Sequence, residues 1–277
     1  MPTIAIVSDI HANLEAWEAV LEDIDKAGIN TILNAGDTVG YGPNPHECLA
    51  SVRKRVAASV VGNHDYAVIS EAHLRKEASL FNELARAETM QLFEELSPEE
   101  RAYLGGLPGS IVFPTVMVMS HGSAVPGELF GYVEQNAERR KRNFEYLKEQ
   151  DRQVLFYGHS HLQSHFEDSS SMPTKVGQLV DENETVSIRI NGNTPELIIL
   201  ETEIQRPEYV LRPGMRYLIG ACSVGQPRDG NPRACYLQFD GEVVRVRRVE
   251  YDVRKTMEKI RERGIPDKFA ERLKWGK

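Results

Sequence analysis

Residues 156–166 read FYGHSHLQSHF and place His159, His161 and His165 within seven positions, in a chain with only eight histidines. Imidazole is a frequent metal ligand and the usual proton carrier near neutral pH, so this crowding points to metal binding or acid–base chemistry. Further polar residues of the same kind lie scattered along the chain: Asp9 and His11 in D-I-H, Asp37 in G-D, Asn63 and His64 in G-N-H-D, and His121 in S-H-G. Together they offer carboxylate, amide and imidazole donors without thiolate, a set suited to Mn²⁺, Fe or Zn²⁺. Two carboxylates with several neutral histidines can hold two divalent ions.

Each of these residues follows a segment with strand character. The runs at 4–7, 31–33, 56–61, 116–119 and 153–157 are short and apolar, rich in β-branched or aromatic residues, and each gives way to glycine or a polar group. Helices are predicted between them. One starts at Leu14, carries Trp17, Val20, Leu21 and Ile24 on one face and ends at Gly28. Others cover 45–55, the charged stretch 79–104 with a restart at Ser97-Pro98-Glu99-Glu100, and 134–150. Asp65 is expected to N-cap the helix after the third strand. Alternating strands and helices predict an α/β fold, whose ligands bind beyond the carboxyl ends of the strands. Five such ends carry the polar groups named above.

After residue 165 the texture changes to hairpins. Strands are expected at 186–190 and 197–200 around an Asn-Gly-Asn turn, then at 216–220, 233–239 and 243–249, with Asp240-Gly241 as a turn and a final helix over 253–263. The 165–212 stretch reads as an inserted β segment of a single domain spanning 1–277.

The formal charge of −8 argues against a nucleic-acid binder, because affinity for the phosphate backbone comes mostly from Lys and Arg. Cys48, Cys222 and Cys235 are odd in number and form no C-x-x-C pair, which predicts reduced thiols and no zinc ribbon. Near the N-terminus acidic residues interrupt the sequence before a long apolar run can form. Neither a signal peptide nor a membrane span is expected, and a cytoplasmic location follows.

In their order D-x-H, G-D, G-N-H-D, S-H-G and G-H-S-H, over residues 9–161, these motifs resemble the five signatures of calcineurin-like metallophosphoesterases. The likeness continues through GYGPNPHEC at 40–48 and SVGQPRDGNPRA at 223–234, and is similar to a bacterial and archaeal subgroup of small phosphodiesterase-like proteins. It implies a four-layer α-β-β-α sandwich with two mixed sheets and a dinuclear site at the strand ends. Carried over residue by residue, Asp9, His11 and His161 would hold one ion and Asn63, His121 and His159 the other, with Asp37 bridging. Mn²⁺ is the first expectation, with Fe, Zn²⁺ or Ni²⁺ as alternatives. A second ion beside the first lowers the pKa of a bridging water, giving hydroxide to attack a small phosphodiester or phosphomonoester. His64, left unligated, would act as an imidazolium, protonating the departing alkoxide or stabilising charge on the phosphate.

The same resemblance leaves other substrates open, namely a dinucleoside polyphosphate, a phosphoprotein or a nucleic-acid end, and a different class, a non-catalytic scaffold that binds a partner protein. Around the site, Asn13 is expected to support the His11 loop, Tyr41 to wall the pocket, and Asp65 to lie nearby. His46 and His73 fall on helices, and His165 on a sheet surface. The basic run 138–142 reads as a solvated helix face, and Arg228 and Asp229 as partners within one loop. One departure stands out: where the subgroup has N-P-G-S, this chain has Gly220-Ala221-Cys222-Ser223, which alters the turn and makes Cys222 a small buried residue.

Overall fold

The computed structural model describes residues 1–168 and 208–277. Its strands are β1 (Ile4–Val7), β2 (Ile32–Asn34), β3 (Ala58–Ser59), β4 (Ser110–Val112), β5 (Met117–Ser120), β6 (Val154–Tyr157), β7 (Gln163–Asp168), β8 (Glu208–Val210), β9 (Arg216–Ala221), β10 (Ala234–Phe239) and β11 (Val243–Val249). They form a six-stranded sheet in the order β3-β2-β1-β10-β11-β8 and a five-stranded sheet in the order β4-β5-β6-β9-β7. Both are mixed: β1, β2 and β3 are parallel, as are β5, β6 and β9, and the remaining pairs are antiparallel. The helices are α1 (Leu14–Lys26), α2 (Pro45–Arg55), α3 (Asn63–Ala67), α4 (Glu71–Glu77), α5 (Glu83–Glu95), α6 (Pro98–Gly105), α7 (Ala137–Glu149), α8 (Val253–Glu262) and α9 (Asp267–Trp275).

Strand side chains alternate between faces, and the strands β1, β5 and β6 are buried along their whole length because both of their faces are covered. Ile4 and Ile6 of β1 meet Val154 and Phe156 of β6, Tyr217 and Ile219 of β9, and Leu237 and Phe239 of β10 in the core between the sheets. Ala5 and Val7 point the other way, onto Trp17, Val20 and Ile24 of α1 and Val52 of α2. In the second sheet Leu155, Tyr157 and Leu218 pack under Phe144 and Leu147 of α7. Four layers result, helices outside and sheets inside, as the family resemblance implied.

Most local signals hold. Asn13 caps α1 by accepting the Ala16 N–H, and Gly28 takes φ +68 just beyond its end. Pro45 opens α2, and Ser97 with Glu100 forms the capping box of α6. Three expectations need correction. The third strand pairs only at Ala58–Ser59, because it is an edge strand whose ladder lasts two residues. A second terminal helix, α9, follows Pro266, where the sequence ended helix at 263. Cys222 and Cys235 are not free thiols: they form a disulfide, with Cα atoms 5.8 Å apart, joining the end of β9 to β10 in the facing sheet. Only the topology brings these residues together.

The strands expected at 186–190 and 197–200 lie outside the described residues, whose flanks β7 and β8 are edge strands of different sheets. Among the described residues no helix is long and apolar enough to cross a membrane.

Phe156 is fully buried with its ring 5.2 Å from Phe239, one from each sheet. Phe156→Ala should lower unfolding stability by about 3–5 kcal/mol in urea titrations. A loss below about 1 kcal/mol would contradict an inter-sheet core centred there.

Candidate metal centre

The parallel strands β1, β2 and β3 end side by side, and β5 and β6 end beside each other in the facing sheet. Their loops meet. Asp9 and His11 follow β1, Asp37 follows β2, Asn63 and His64 begin α3 after β3, His121 follows β5, and His159 and His161 follow β6. None of these eight side chains is more than 8% exposed.

The loops are held in an uncommon conformation. Asp9, His11, Asp37, His159 and His161 all take left-handed φ between 48° and 70°, which non-glycine residues adopt only when the surroundings enforce it. Backbone hydrogen bonds between loops do so: Asp9 N to Gly36 O (2.9 Å), His11 N to Asp37 O (3.0 Å), Gly158 N to His121 O (2.9 Å) and Gly225 N to Asp9 O (2.9 Å). Two glycines permit the close approach. A Cβ on Gly62 would overlap the Asp37 carboxylate, and one on Gly158 would overlap Ser8 and Asp9.

Hydrogen bonding fixes the imidazole tautomers. His11 Nδ1 lies 3.0 Å from Val39 O, His161 Nδ1 2.6 Å from Gln226 O, and His121 Nδ1 2.8 Å from Ala35 O. A carbonyl only accepts, so each Nδ1 carries the proton and, on a neutral ring, each Nε2 presents a lone pair. The lone pairs face other acceptors. His11 Nε2 and His161 Nε2 are 3.1 Å apart, and His121 Nε2 is 3.1 Å from Asn63 Oδ1 and 3.2 Å from Asp37 Oδ2. Asp9 Oδ1 stands 3.4 Å from His161 Nε2 and 3.7 Å from His11 Nε2. Acceptors turned toward one another in a water-poor interior require a cation among them, and the donor set fits a divalent metal.

Among the described residues two triplets have the spacing for an ion: Asp9, His11 and His161, and Asp9, Asp37 and His121. Asp37 Oδ2 lies between the halves, 3.6 Å from His11 Nε2 and 3.2 Å from His121 Nε2, which suits a bridging carboxylate. Asn63 joins through its contact with His121. His159 stands at the margin, its ring 5.0 Å from that of His121 and stacked on Tyr132 at 4.1 Å, while its backbone N–H donates to Asp9.

The electrostatics divide the donors. Burial pushes Asp9 up to about 7 and His159 down to about 3. Burial alone would lower His121, but the Asp37 and Asp9 carboxylates raise it to about 9, so without a metal its Nε2 holds a proton toward Asp37, in the place a bound cation would take. His64 departs from expectation: burial pushes it down to about 4, outweighing Asp37, so the ring is neutral rather than an imidazolium. That ring packs on Phe81 (4.6 Å) and Tyr41 (4.4 Å), and among the described residues its buried Nδ1 has no hydrogen-bond partner.

The supporting residues also fall into place. Asp65 is not the N-cap residue of α3, which is Gly62, but sits in its first turn, where its carboxylate accepts from Gly62 N (3.2 Å) and also from Thr38 N (2.9 Å) and Val39 N (3.1 Å), tying the second loop to the third. Asn13 donates to Gly225 O (2.8 Å) and accepts from Thr256 Oγ1 (3.0 Å), outside the donor cluster. Tyr41 walls the site, 4.7 Å from His11. Arg228 does not pair with Asp229, which binds Arg248; it donates to Gln226 Oε1 (2.8 Å) and lies over the Tyr41 ring. In the basic run 138–142, Arg140 is buried and donates to Val133 O, not solvated. His46 binds Glu100, His73 bonds Ser70, and His165 stacks on Tyr209; none joins the centre. Sequence reasoning missed Phe81, Tyr132 and the Gln226 carbonyl, since nothing local to them signals the site.

Comparison with known proteins agrees. Residues 3–191 match the calcineurin-like phosphoesterase superfamily domain. The chain is 33% identical to the uncharacterized protein MJ0912 of Methanocaldococcus jannaschii, covering 99% of this chain and 98% of that one. The crystal structure of a metallophosphoesterase from Sphaerobacter thermophilus, also 33% identical, superposes with a TM-score of 0.74 over 99% of both chains. The hypothetical protein PH1004 from Pyrococcus horikoshii shares the fold at 18% identity, with a TM-score of 0.71 over 100% of this chain and 99% of that one. With the ordered motifs and their meeting at one buried centre, these matches place the chain in the calcineurin-like phosphoesterase superfamily.

Proposed function

We propose that the protein is a metal-dependent hydrolase of small phosphodiesters or phosphomonoesters, working with two divalent ions. The observation that carries this reading is the pair of facing, unprotonated Nε2 atoms of His11 and His161 beside Asp9, with His121 Nε2 and Asn63 Oδ1 gathered on the other side of Asp37. Asp9, His11 and His161 would hold one ion, Asn63, His121 and His159 the other, and Asp37 both. Oxygen and imidazole donors favour Mn²⁺, Fe or Zn²⁺, with Mn²⁺ the first choice. Two ions in such a site supply Lewis acidity toward phosphoryl oxygens and a nucleophile at neutral pH by lowering the pKa of water.

The chain's own residues do the rest. Carbonyls of Val39, Ala35 and Gln226 hold three imidazoles in one tautomer and orientation, so their lone pairs stay aimed. His64, packed between Tyr41 and Phe81 and neutral, is placed to donate an N–H hydrogen bond to a phosphoryl oxygen. The net charge of −8 weighs against nucleic acid as substrate.

Elemental analysis of protein saturated with Mn²⁺ should approach about two equivalents per chain. A plateau at one would end the dinuclear assignment. His161→Ala should remove one of the two equivalents in the same assay, and full retention of both would mean that His161 is not a ligand.

His64→Ala should keep its metal and lose about a hundredfold or more in kcat/KM, to a similar extent on p-nitrophenyl and alkyl phosphodiesters, because a hydrogen bond to phosphate does not depend on the leaving group. A deficit confined to the alkyl ester would instead identify proton donation to the departing alkoxide.

A further inference from the structure

Beside the donor cluster lies a cation that the metal centre does not use. Arg228 is half-buried in the loop after β9, its backbone N–H bonded to His161 O at 3.3 Å. Its guanidinium carbon sits 5.8 Å from the centre of the Tyr41 ring, whose centre is 4.7 Å from the His11 ring and 4.4 Å from the His64 ring. One terminal nitrogen donates to Gln226 Oε1 at 2.8 Å, while the buried Nε has no hydrogen-bond partner among the described residues.

A second arginine adds to this. Arg272 lies on α9, almost one turn beyond Phe269, whose ring packs 4.9 Å from Tyr41. Burial and the charge of Arg228 together hold its guanidinium below the ordinary range. Among the described residues neither arginine has a carboxylate within salt-bridge distance, although neighbouring cations such as Arg248 and Arg263 do. Two guanidinium groups beside the candidate metal centre, one with a buried nitrogen that has no partner among the described residues, form a place for an anion.

We propose that Arg228 binds the phosphoryl group of the substrate, donating from its guanidinium to a non-bridging oxygen while Tyr41 and Gln226 hold the group in orientation. This rests on the phosphoesterase reading and adds to it a residue outside the metal-binding motifs. The planar fork matches a tetrahedral oxyanion at two points, which a lysine ammonium cannot do. Arg272, on the helix that packs on Tyr41, adds its charge to that wall.

The test uses Mn²⁺-loaded wild type, Arg228→Ala and Arg228→Lys. Three readouts are taken: metal content, binding of inorganic phosphate by calorimetry, and kcat/KM on p-nitrophenyl phosphate and bis(p-nitrophenyl) phosphate. Arg228→Ala should keep its metal, bind phosphate at least about tenfold more weakly and lose about a hundredfold in kcat/KM, with Arg228→Lys recovering part of each. Phosphate affinity and kcat/KM within twofold of wild type in Arg228→Ala would overturn the assignment. So would a fall in metal content parallel to the fall in rate in both variants, since Arg228 would then only support the loop that holds His161. A metal-loaded wild type that neither binds phosphate nor hydrolyses either ester would overturn the phosphoesterase reading itself and this assignment with it.

Discussion

The structure depends on one arrangement: imidazole lone pairs and carboxylate oxygens turned toward each other where water is nearly excluded. His11 and His161 meet Nε2 to Nε2 at 3.1 Å, and His121 faces Asn63 and Asp37 at similar range. Without a cation such a cluster repels itself, so the rest of the fold must impose it. Parallel strands in both sheets bring the loops to one edge, and the left-handed backbone at Asp9, His11, Asp37, His159 and His161 turns the donors inward. The bonds that hold those turns run between loops, from Asp9 to Gly36 and from Gly225 to Asp9, so no loop keeps its shape alone.

The partners of the donors come from elements far apart in the chain. Carbonyls of residues 35 and 39 fix His121 and His11, and the carbonyl of residue 226 fixes His161. The 223–226 loop is a keystone in this respect: Ser223 Oγ donates to Asp9 O at 2.9 Å, Val224 N bonds Ser8 O, and Gly225 O accepts from Asn13. Beneath that loop the Cys222–Cys235 disulfide ties the two sheets together. Cys222 has φ +56, a conformation that suits the glycine expected at this point of the related N-P-G-S motif. Here cysteine accepts the unfavourable backbone, and the cross-link fixes it between the sheets.

Aromatic rings close the sides of the centre. Tyr41 and Phe81 enclose His64, and Tyr132 stacks on His159. They limit solvent around the imidazoles, which accounts for the depressed proton affinity of His64 and His159 and keeps lone pairs available. The interloop network continues outward through Asp65, a buried carboxylate that spends its oxygens on three backbone N–H groups rather than on metal.

By itself the sequence determined the donors and their order, because D-x-H, G-D, G-N-H-D, S-H-G and G-H-S-H each follow a legible strand, and apolar runs of four or five residues mark strands buried on both faces. The α1, α2 and α6 boundaries were equally legible, since capping residues and Pro at the first turn act locally. What only the tertiary structure decided was everything that depends on contacts between distant segments. The Cys222–Cys235 bond required β9 and β10 to lie in facing sheets, and the neutral state of His64 required Phe81 and Tyr41 to bury it. Asp65 read as a cap because its own helix was the only partner visible locally, yet its carboxylate is also taken by Thr38 and Val39 from another loop. Arg228 read as a loop partner of Asp229 for the same reason, and the fold instead turned it toward Tyr41, since spacing along the chain carries no information about which face a loop side chain will meet.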